Sequence, residues 1–370
     1  MAGARASAQL GVRLTAIHEL PDLIAALDGA RRARVGRMID ARLAVARIDP
    51  PSALEPWLID SFGSIEAVRE QVVVKVANLA TGEATLFAPL RARRPIDGPA
   101  RHADLAAEIA ATEGGPFCDP ATGTPAHLYG RVRGRQMVTA ANAAAADAHH
   151  AVLVFDRHDP LAFDADLVAD LFATGREWAE RAREHDPAAV NYLLGWNCLW
   201  RGGGSIVHGH AQALVGSGPH YARVERFRRD AAAYRIANGT DLAVDLVEIH
   251  RDLGLAVGTG VTTLAHLTPI KERETLVVGV PGLDERDPAF TDAVARALLA
   301  LRDGMGTRAF NLALWRPPLV PAAGWEGVPP IVRIVDRGDP FSRASDIGVM
   351  ELYGTPIVGT DPYELVTALA

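Results

Sequence analysis

The chain has few cysteines, few aromatic residues and no excess of positive charge. Two cysteines, Cys118 and Cys198, are too few for a disulfide framework and favour a reducing, cytoplasmic location. The formal net charge is -7, which argues against a nucleic-acid or anionic-membrane binder. No apolar run is long enough to cross a membrane, and the N-terminus lacks the continuous apolar segment of a signal peptide. We therefore predict neither a nucleic-acid partner nor a membrane partner.

The composition is that of an ordinary globular protein. Hydrophobic residues make up 49% of the 370 residues and charged residues 22%. A chain of this length can bury a large core and is typical of about two domains.

The hydrophobic pattern divides the chain into three parts. Residues 20–70 show helical spacing, so residues 1–70 are predicted to be an N-terminal helical extension. Beyond it we predict helices over 164–184, 223–238 and 288–302. The predicted strands are 72–76, 84–88, 136–140, 151–155, 192–194, 244–249, 255–257, 275–280 and 310–314. Because the order of strands and helix recurs, we predict two copies of one α+β unit, a catalytic half over 71–235 and a degenerate half over 236–370.

The segment from Gly202 to Gln212 is the most informative for function. A Gly-Gly-Gly-Ser turn precedes His208, His210 and Gln212, which occupy alternate positions. Alternate residues of a strand point to one face, so the three side chains are predicted to share a face. Glycines let backbone amides approach an anion closely, and histidine beside such a turn is typical of phosphorus chemistry. For an isolated His-Gly-His, a metal pair or plain surface polarity are the alternatives.

Over residues 70–355 this combination resembles the galactose-1-phosphate uridylyltransferase branch of the histidine-triad superfamily, which also includes phosphorylases. The match rests on the His-x-His-x-Gln pattern, with Gln212 where triad hydrolases have a third histidine. The resemblance implies an α+β fold of two triad-like repeats, each an antiparallel sheet with packed helices. The second repeat has residues 331–336 in place of the catalytic histidines. A homodimer is also implied.

The resemblance assigns substrate contacts outside the histidine pair. Arg91 and Arg94 align with arginines that approach substrate phosphates. Asn197 stands eleven positions before His208, as in the family, and would hold the histidine loop or a phosphate oxygen. Asn142 matches a nucleoside contact, with a turn cap as the alternative. The implied substrate ligands are Arg91, Arg94, Asn142, Asn197, Gly204, Ser205 and Glu351.

The resemblance also implies a zinc site that is incomplete in this chain. Cys118, His158 and His208 match three ligands, whereas Gly115 replaces the first cysteine of the family's Cys-x-x-Cys. Structural zinc takes four ligands. A three-ligand zinc site completed by water or Asp119, and no zinc at all, therefore both stay open. The family's second metal is predicted to be absent, since residues 331–336 contain no His-x-His, and no organic cofactor is expected.

The implied chemistry is transfer of a nucleoside monophosphate between sugar 1-phosphates. His210 would attack the α-phosphorus of a nucleotide sugar, and Gln212 would stabilise the phosphoryl oxygen by hydrogen bonding. A sugar phosphate acceptor would then resolve the nucleotidyl-histidine in a ping-pong cycle. A phosphorylase that uses inorganic phosphate is the alternative enzyme, and a non-catalytic nucleotide-binding protein is the third hypothesis. Uracil, adenine and guanine all remain open as the base.

Overall fold

The computed structural model describes residues 15–93, 104–345 and 347–370. Within them, thirteen strands form two sheets. The strands are β1 (Ile39–Arg47), β2 (Glu70–Asn78), β3 (Ala84–Phe87), β4 (Met137–Ala141), β5 (His149–Phe155), β6 (Asn191–Cys198), β7 (His210–Gly216), β8 (Ala256–Val257), β9 (Thr262–Ala265), β10 (Thr275–Val278), β11 (Phe310–Trp315), β12 (Ile331–Asp336) and β13 (Ile357–Val358).

Helices connect these strands and cover the sheets. They are α1 (Leu20–Ala26), α2 (Gly29–Met38), α3 (Glu55–Phe62), α4 (Ile65–Arg69), α5 (Pro89–Ala92), α6 (Leu105–Ala110), α7 (Pro120–Gly123), α8 (Ala165–His185), α9 (Ala222–Asn238), α10 (Leu242–Asp252), α11 (Pro288–Leu299), α12 (Val349–Leu352) and α13 (Pro362–Leu369). Shorter helical turns occupy Ile17–Glu19, Ser52–Leu54, Trp200–Gly202 and Ala300–Gly304. No helix in the described ranges is long and apolar enough to cross a membrane.

The main sheet has nine antiparallel strands in the order β4-β5-β7-β6-β11-β12-β10-β9-β8. The first four strands, β4-β5-β7-β6, and the next four, β11-β12-β10-β9, follow the same chain order reflected about the boundary between β6 and β11. These two strands pair at the centre. There Asn197 of β6 lies opposite Asn311 of β11, 114 positions later in the chain. The smaller sheet has the order β1-β2-β3-β13, with β13 parallel to β3. The sheet centre thus brings residues of both halves together.

Two long helices pack on one another beside the main sheet. Phe172 of α8 and Phe290 of α11 meet edge to face, with ring centroids 6.1 Å apart. Trp178 of α8 is fully buried, as an apolar helix face on a core requires. His185 of α8 contacts His149 of β5, so His149 lies on the helix-covered side of the sheet. Because successive strand residues alternate, the next residue, His150, points to the opposite side.

The prediction of a wholly helical segment over residues 1–70 is wrong for Ile39–Arg47. These residues form β1, which pairs with β2 along its whole length, from Ile39 opposite Asn78 to Arg47 opposite Glu70. Helix α2 ends at Met38, so the apparent helical spacing combined the last turn of a helix with the start of a strand. The apolar residues of β1 recur at alternate positions, which is the strand period.

The predicted strand over 244–249 is also wrong, because these residues lie in α10. Leu242, Leu246 and Ile249 are buried and recur at positions i, i+4 and i+7, which places them on one helix face. Elsewhere the predicted strands and helices are confirmed, with ends shifted by a few residues. The helix predicted over 164–184, for example, is α8, and Asp164 caps it by accepting a hydrogen bond from Leu167 N at 2.9 Å.

Candidate active site

A glycine turn links β6 to β7 and lies tightly against β6. The Gly204 amide donates to the carbonyl of Leu199 at 2.9 Å. A Cβ atom at Gly204 would lie only 2.9 Å from the Asn197 carbonyl oxygen, so a larger residue cannot occupy this position without moving the backbone. Ser205, the next residue, is exposed. The turn therefore presents a hydroxyl directly after a glycine fixed by close packing.

Of the three residues predicted to share a strand face, His210 and Gln212 lie in β7, whereas His208 lies outside it. Strand β7 begins at His210, and His208 precedes it. Gly209 donates to the His158 carbonyl at 2.8 Å and accepts from the Phe155 amide at 2.9 Å. A Cβ atom there would lie 2.9 Å from the Phe155 ring, so a side chain at this position would require the ring or the backbone to move. His208 thus lies just before the strand, and Phe117 packs edge-on against both histidine rings, at 6.2 Å from His208 and 5.1 Å from His210 between centroids.

His210 is held in one tautomer by its own loop. Its Nδ1 lies 2.8 Å from the carbonyl oxygen of His208. Because a carbonyl only accepts, Nδ1 carries the proton and Nε2 carries the lone pair. Nε2 has no hydrogen-bond partner among the described residues. Burial lowers the pKa of His210, and Phe117 packs edge-on at 5.1 Å between ring centroids. The arrangement is a neutral imidazole with an available nitrogen.

Gln212 contacts a histidine that the sequence did not single out. Its Oε1 lies 3.1 Å from Nε2 of His150, and Nδ2 of Asn142 lies 3.2 Å from the same nitrogen. Asn142 Oδ1 accepts from the Ala144 amide at 2.9 Å, as the turn-cap alternative predicts. The sequence signal that could have identified His150 is an ionisable residue at the start of a predicted buried strand, with Asn142 shortly before it.

Asn197 is linked to the glycine turn through a second-half residue. Asn311 Nδ2 donates to Asn197 Oδ1 at 2.7 Å and to the Gly202 carbonyl at 2.6 Å. Asn311 Oδ1 in turn accepts from Arg337. Asn311 was missed, because only the pairing of β6 with β11 brings it here. It ties the glycine turn to β11, a strand of the same sheet that comes much later in the chain.

Cys118, His158 and His208 form one cluster with metal-ligating geometry in the described part of the chain. The Cys118 Sγ lies 3.5 Å from Nδ1 of each histidine, and the two Nδ1 atoms lie 3.1 Å apart. Nε2 of His158 lies 3.0 Å from the Ile109 carbonyl, and Nε2 of His208 lies 2.8 Å from that of Phe155. Both Nε2 atoms therefore carry protons, and both Nδ1 lone pairs converge on the thiol.

That convergence fits a metal ion. Two lone pairs at 3.1 Å repel one another unless a cation lies between them, and one thiol proton cannot satisfy both. With Zn–S near 2.3 Å and Zn–N near 2.0–2.1 Å, tetrahedral ligands lie about 3.5 Å apart for S and N and about 3.4 Å for two N atoms. The carbonyl partners of the outer nitrogens are the usual orienting contacts of metal-bound histidine.

Arg91 and Glu351 line a different cavity, of about 480 Å³. Its lining also contains the basic residues Arg201, Lys271, Arg273 and Arg337 and the acidic residues Glu272 and Asp336, of which Asp336 pairs with Arg273 at 2.8 Å. Glu351 pairs with Lys271 at 2.7 Å and accepts from the Gly348 amide at 2.7 Å. His210 is not among the lining residues, and the two regions are joined through Arg337 and Asn311. Arg94 lies outside the described residues.

The architecture is similar to that of several solved structures. An ADP-glucose phosphorylase from Arabidopsis thaliana with bound ADP-glucose has a TM-score of 0.60 and 16% identity, covering 78% of this chain and 95% of that one. A GalT-like protein from Arabidopsis thaliana has a TM-score of 0.57 and 14% identity, covering 70% and 92%. A uridylyltransferase has a TM-score of 0.55 and 17% identity, covering 80% and 97%.

At these identities the likeness is one of fold, and it confirms the α+β fold that the sequence resemblance implies. No protein-family model matches the chain, and no curated protein matches it by sequence.

Proposed function

We propose that this chain is a nucleotidyltransferase that transfers a nucleoside monophosphate from a nucleotide sugar to a phosphate-bearing acceptor through His210. One observation carries the proposal. The Nδ1 proton of His210 is held by the His208 carbonyl at 2.8 Å, which leaves the Nε2 lone pair available beside Gln212. A binding protein has no need of a histidine fixed in this tautomer.

The transfer takes two balanced steps. Nε2 of His210 attacks the α-phosphorus, the P–N bond forms, and the electron pair of the breaking P–O bond leaves on the sugar phosphate. In the second step an acceptor phosphate oxygen attacks the same phosphorus, and the electron pair of the P–N bond returns to Nε2. Gln212 donates a hydrogen bond to the phosphoryl oxygen in both steps. Such a donor is typically worth about 2.7–4 kcal/mol of the barrier.

The loop contributes phosphate contacts, and the basic cavity contributes the acceptor site. Gly204 lets the turn pack closely against the backbone near Asn197 and Leu199, and its own amide is bonded to the Leu199 carbonyl, so the phosphate contact of the loop comes from the exposed Ser205 hydroxyl. Asn197 positions the loop through Asn311. In the cavity, Arg91 binds the phosphate of the second substrate, since a guanidinium can donate two parallel hydrogen bonds to phosphate oxygens.

The cavity also favours a second candidate function, a phosphorylase. Glu351, which lies in a segment that resembles a sugar-contacting segment of the family, already has one carboxylate oxygen on Lys271 and the other on the Gly348 amide. A carboxylate held in this way is a weaker sugar ligand, whereas the arginines around it suit an anion. Inorganic phosphate is therefore the alternative acceptor.

The residues of the metal cluster fit zinc, and we propose that Cys118, His158 and His208 hold it. Bound zinc supplies structural cross-linking of three chain segments. By fixing His208, the cluster also fixes the carbonyl that orients His210. No step of the transfer involves the metal.

We further propose that the mirrored strand orders reflect two copies of one unit. In the second half β12 takes the place of β7 and carries Arg333, not a histidine, so only the first half is catalytic. The division at residues 70 and 235 and the homodimer remain predictions.

Sugar-phosphate release tests the proposed function. The protein is mixed with UDP-glucose, ADP-glucose or GDP-glucose in stoichiometric amount, and glucose 1-phosphate is quantified. We expect release of up to one equivalent from the cognate donor, and none from His210→Gln protein. Addition of galactose 1-phosphate or inorganic phosphate then separates transferase from phosphorylase by the product formed. Absence of release from all three donors would count against the proposal.

A further inference from the structure

His150 lies beside the proposed catalytic pair without a role in the chemistry described above. In the pairing of β5 with β7, Val152 is opposite Gln212 and Val154 is opposite His210. Residues paired across neighbouring strands point to the same face, and residues two apart on a strand do so too. His150 therefore shares the face of His210 and Gln212. Its side chain is 6% exposed, so water does not compete freely for its nitrogens.

The proton of His150 can be assigned from its neighbours. The backbone amide of Ala146 donates to Nδ1 at 3.1 Å, and a backbone N–H is always a donor. Nδ1 is therefore the acceptor, and Nε2 of the neutral ring carries the proton. Of the two groups near Nε2, Asn142 Nδ2 has no lone pair to offer, whereas Gln212 Oε1 accepts at 3.1 Å.

This bond decides which end of the Gln212 amide faces the substrate. A carboxamide has one accepting oxygen and one donating NH₂ group, and a half-turn about its last bond exchanges them. With Oε1 held by the Nε2 proton of His150, the NH₂ group is directed away from His150. If the amide turned over, the Nε2 proton of His150 would lose its acceptor and face the NH₂ groups of both Asn142 and Gln212, and an oxygen would replace the donor that the phosphoryl group needs.

We propose that His150 is a positioning residue, which fixes the Gln212 amide so that its NH₂ group faces the phosphoryl oxygen. The inference rests on the proposed function. Hydrogen bonds from the Ala146 amide to His150 and from His150 to Gln212 orient the Gln212 amide, just as the His208 carbonyl orients the His210 ring. His150 itself does not touch the reacting atoms and exchanges no proton with the substrate.

A double-mutant cycle tests this role through the single-turnover rate of His210 nucleotidylation at saturating nucleotide sugar. Gln212→Ala is expected to slow the step by roughly 10²–10³-fold. His150→Met, which has no donor, is expected to slow it by about tenfold, the size of one buried hydrogen bond, without weakening donor binding. On the Gln212→Ala background the same change should have no further effect, because there is no amide left to orient. His150→Gln supplies an N–H donor and should restore most of the rate.

The outcomes separate this inference from the proposed function. If wild-type protein forms no nucleotidyl-histidine, the proposed function fails. If the adduct forms but His150→Met slows nucleotidylation of His210 by the same factor with Gln212 and with Gln212→Ala, or does not slow it at all, only the positioning role of His150 is overturned. If His150→Met does not fold, the isosteric pair His150→Gln and His150→Glu replaces it. Glu only accepts when ionised and turns the amide over, so equal rates for Gln and Glu would overturn the role.

Discussion

Replacing Gly115 with cysteine should complete the metal cluster. The Gly115 carbonyl accepts from the Cys118 amide at 2.9 Å, which closes a turn whose ends lie within about 7 Å. A Cβ atom at Gly115 meets only the Thr112 carbonyl, at 3.5 Å, and φ is not in the left-handed region, so a side chain is tolerated. The new thiol therefore lies beside the existing one.

The size of the effect follows from the ligand count. Structural zinc sites contribute roughly 10–16 kcal/mol across four ligands, or about 2.5–4 kcal/mol for each. Since about 1.4 kcal/mol is a factor of ten, Gly115→Cys should tighten zinc binding by roughly 10²–10³-fold. Competition with a chelator measures the affinity, and cobalt(II) substitution reports the extra thiolate as stronger sulfur-to-metal charge-transfer absorption.

Gly115→Ser is the matched control, since it adds a side chain of similar size that zinc does not favour. It should leave both affinity and cobalt spectrum at the wild-type level. Equal affinities and spectra for the cysteine and serine variants would refute the geometry assigned to Cys118, His158 and His208.

Three other perturbations have defined outcomes. Gln212→Glu keeps an oxygen that accepts from His150 but lacks the NH₂ group that donates to the phosphoryl oxygen. Nucleotidylation measured by stopped flow should slow by roughly 10²–10³-fold, and an unchanged rate would contradict the role proposed for Gln212. Arg91→Ala should raise the acceptor concentration for half-maximal turnover by roughly 10–100-fold with donor release unchanged, whereas the exposed Arg93→Ala should not. Burial lowers the pKa of His250 to about 3, and Nε2 accepts from the Leu267 amide at 3.2 Å. Protonation of His250 is therefore unfavourable in the folded state, whereas the unfolded chain binds this proton below about pH 6.5. As the pH falls from 7 to 5, the free energy of unfolding measured with urea should decrease by about 2 kcal/mol because of this site. This decrease should be absent in His250→Gln.

The sequence predicted those parts of the site that lie close together in the chain. The glycine turn, His210 and Gln212 fall within eleven residues, and strand alternation placed the last two on one face correctly. It extended the strand to His208, which lies just before β7 and contacts Phe155 and His158, about fifty positions away in the chain.

The residues that orient the site could not be predicted from the sequence, because they too are far away in the chain. His150 meets Gln212 across 62 positions, and Asn311 meets Asn197 across 114. Both contacts depend on strand pairing, which a single sequence does not specify. The local errors have a different origin: at Ile39 a helix passes directly into a strand, so helical spacing continued past its end.

The proposed function depends on covalent nucleotidylation of Nε2 of His210. Intact-mass spectrometry of wild-type protein mixed with its nucleotide-sugar donor, followed by peptide mapping, tests it most directly. We expect a single added nucleoside monophosphate on His210, which disappears when acceptor phosphate is added and does not form on His210→Gln. Turnover without any adduct, or an adduct on another residue, would contradict it.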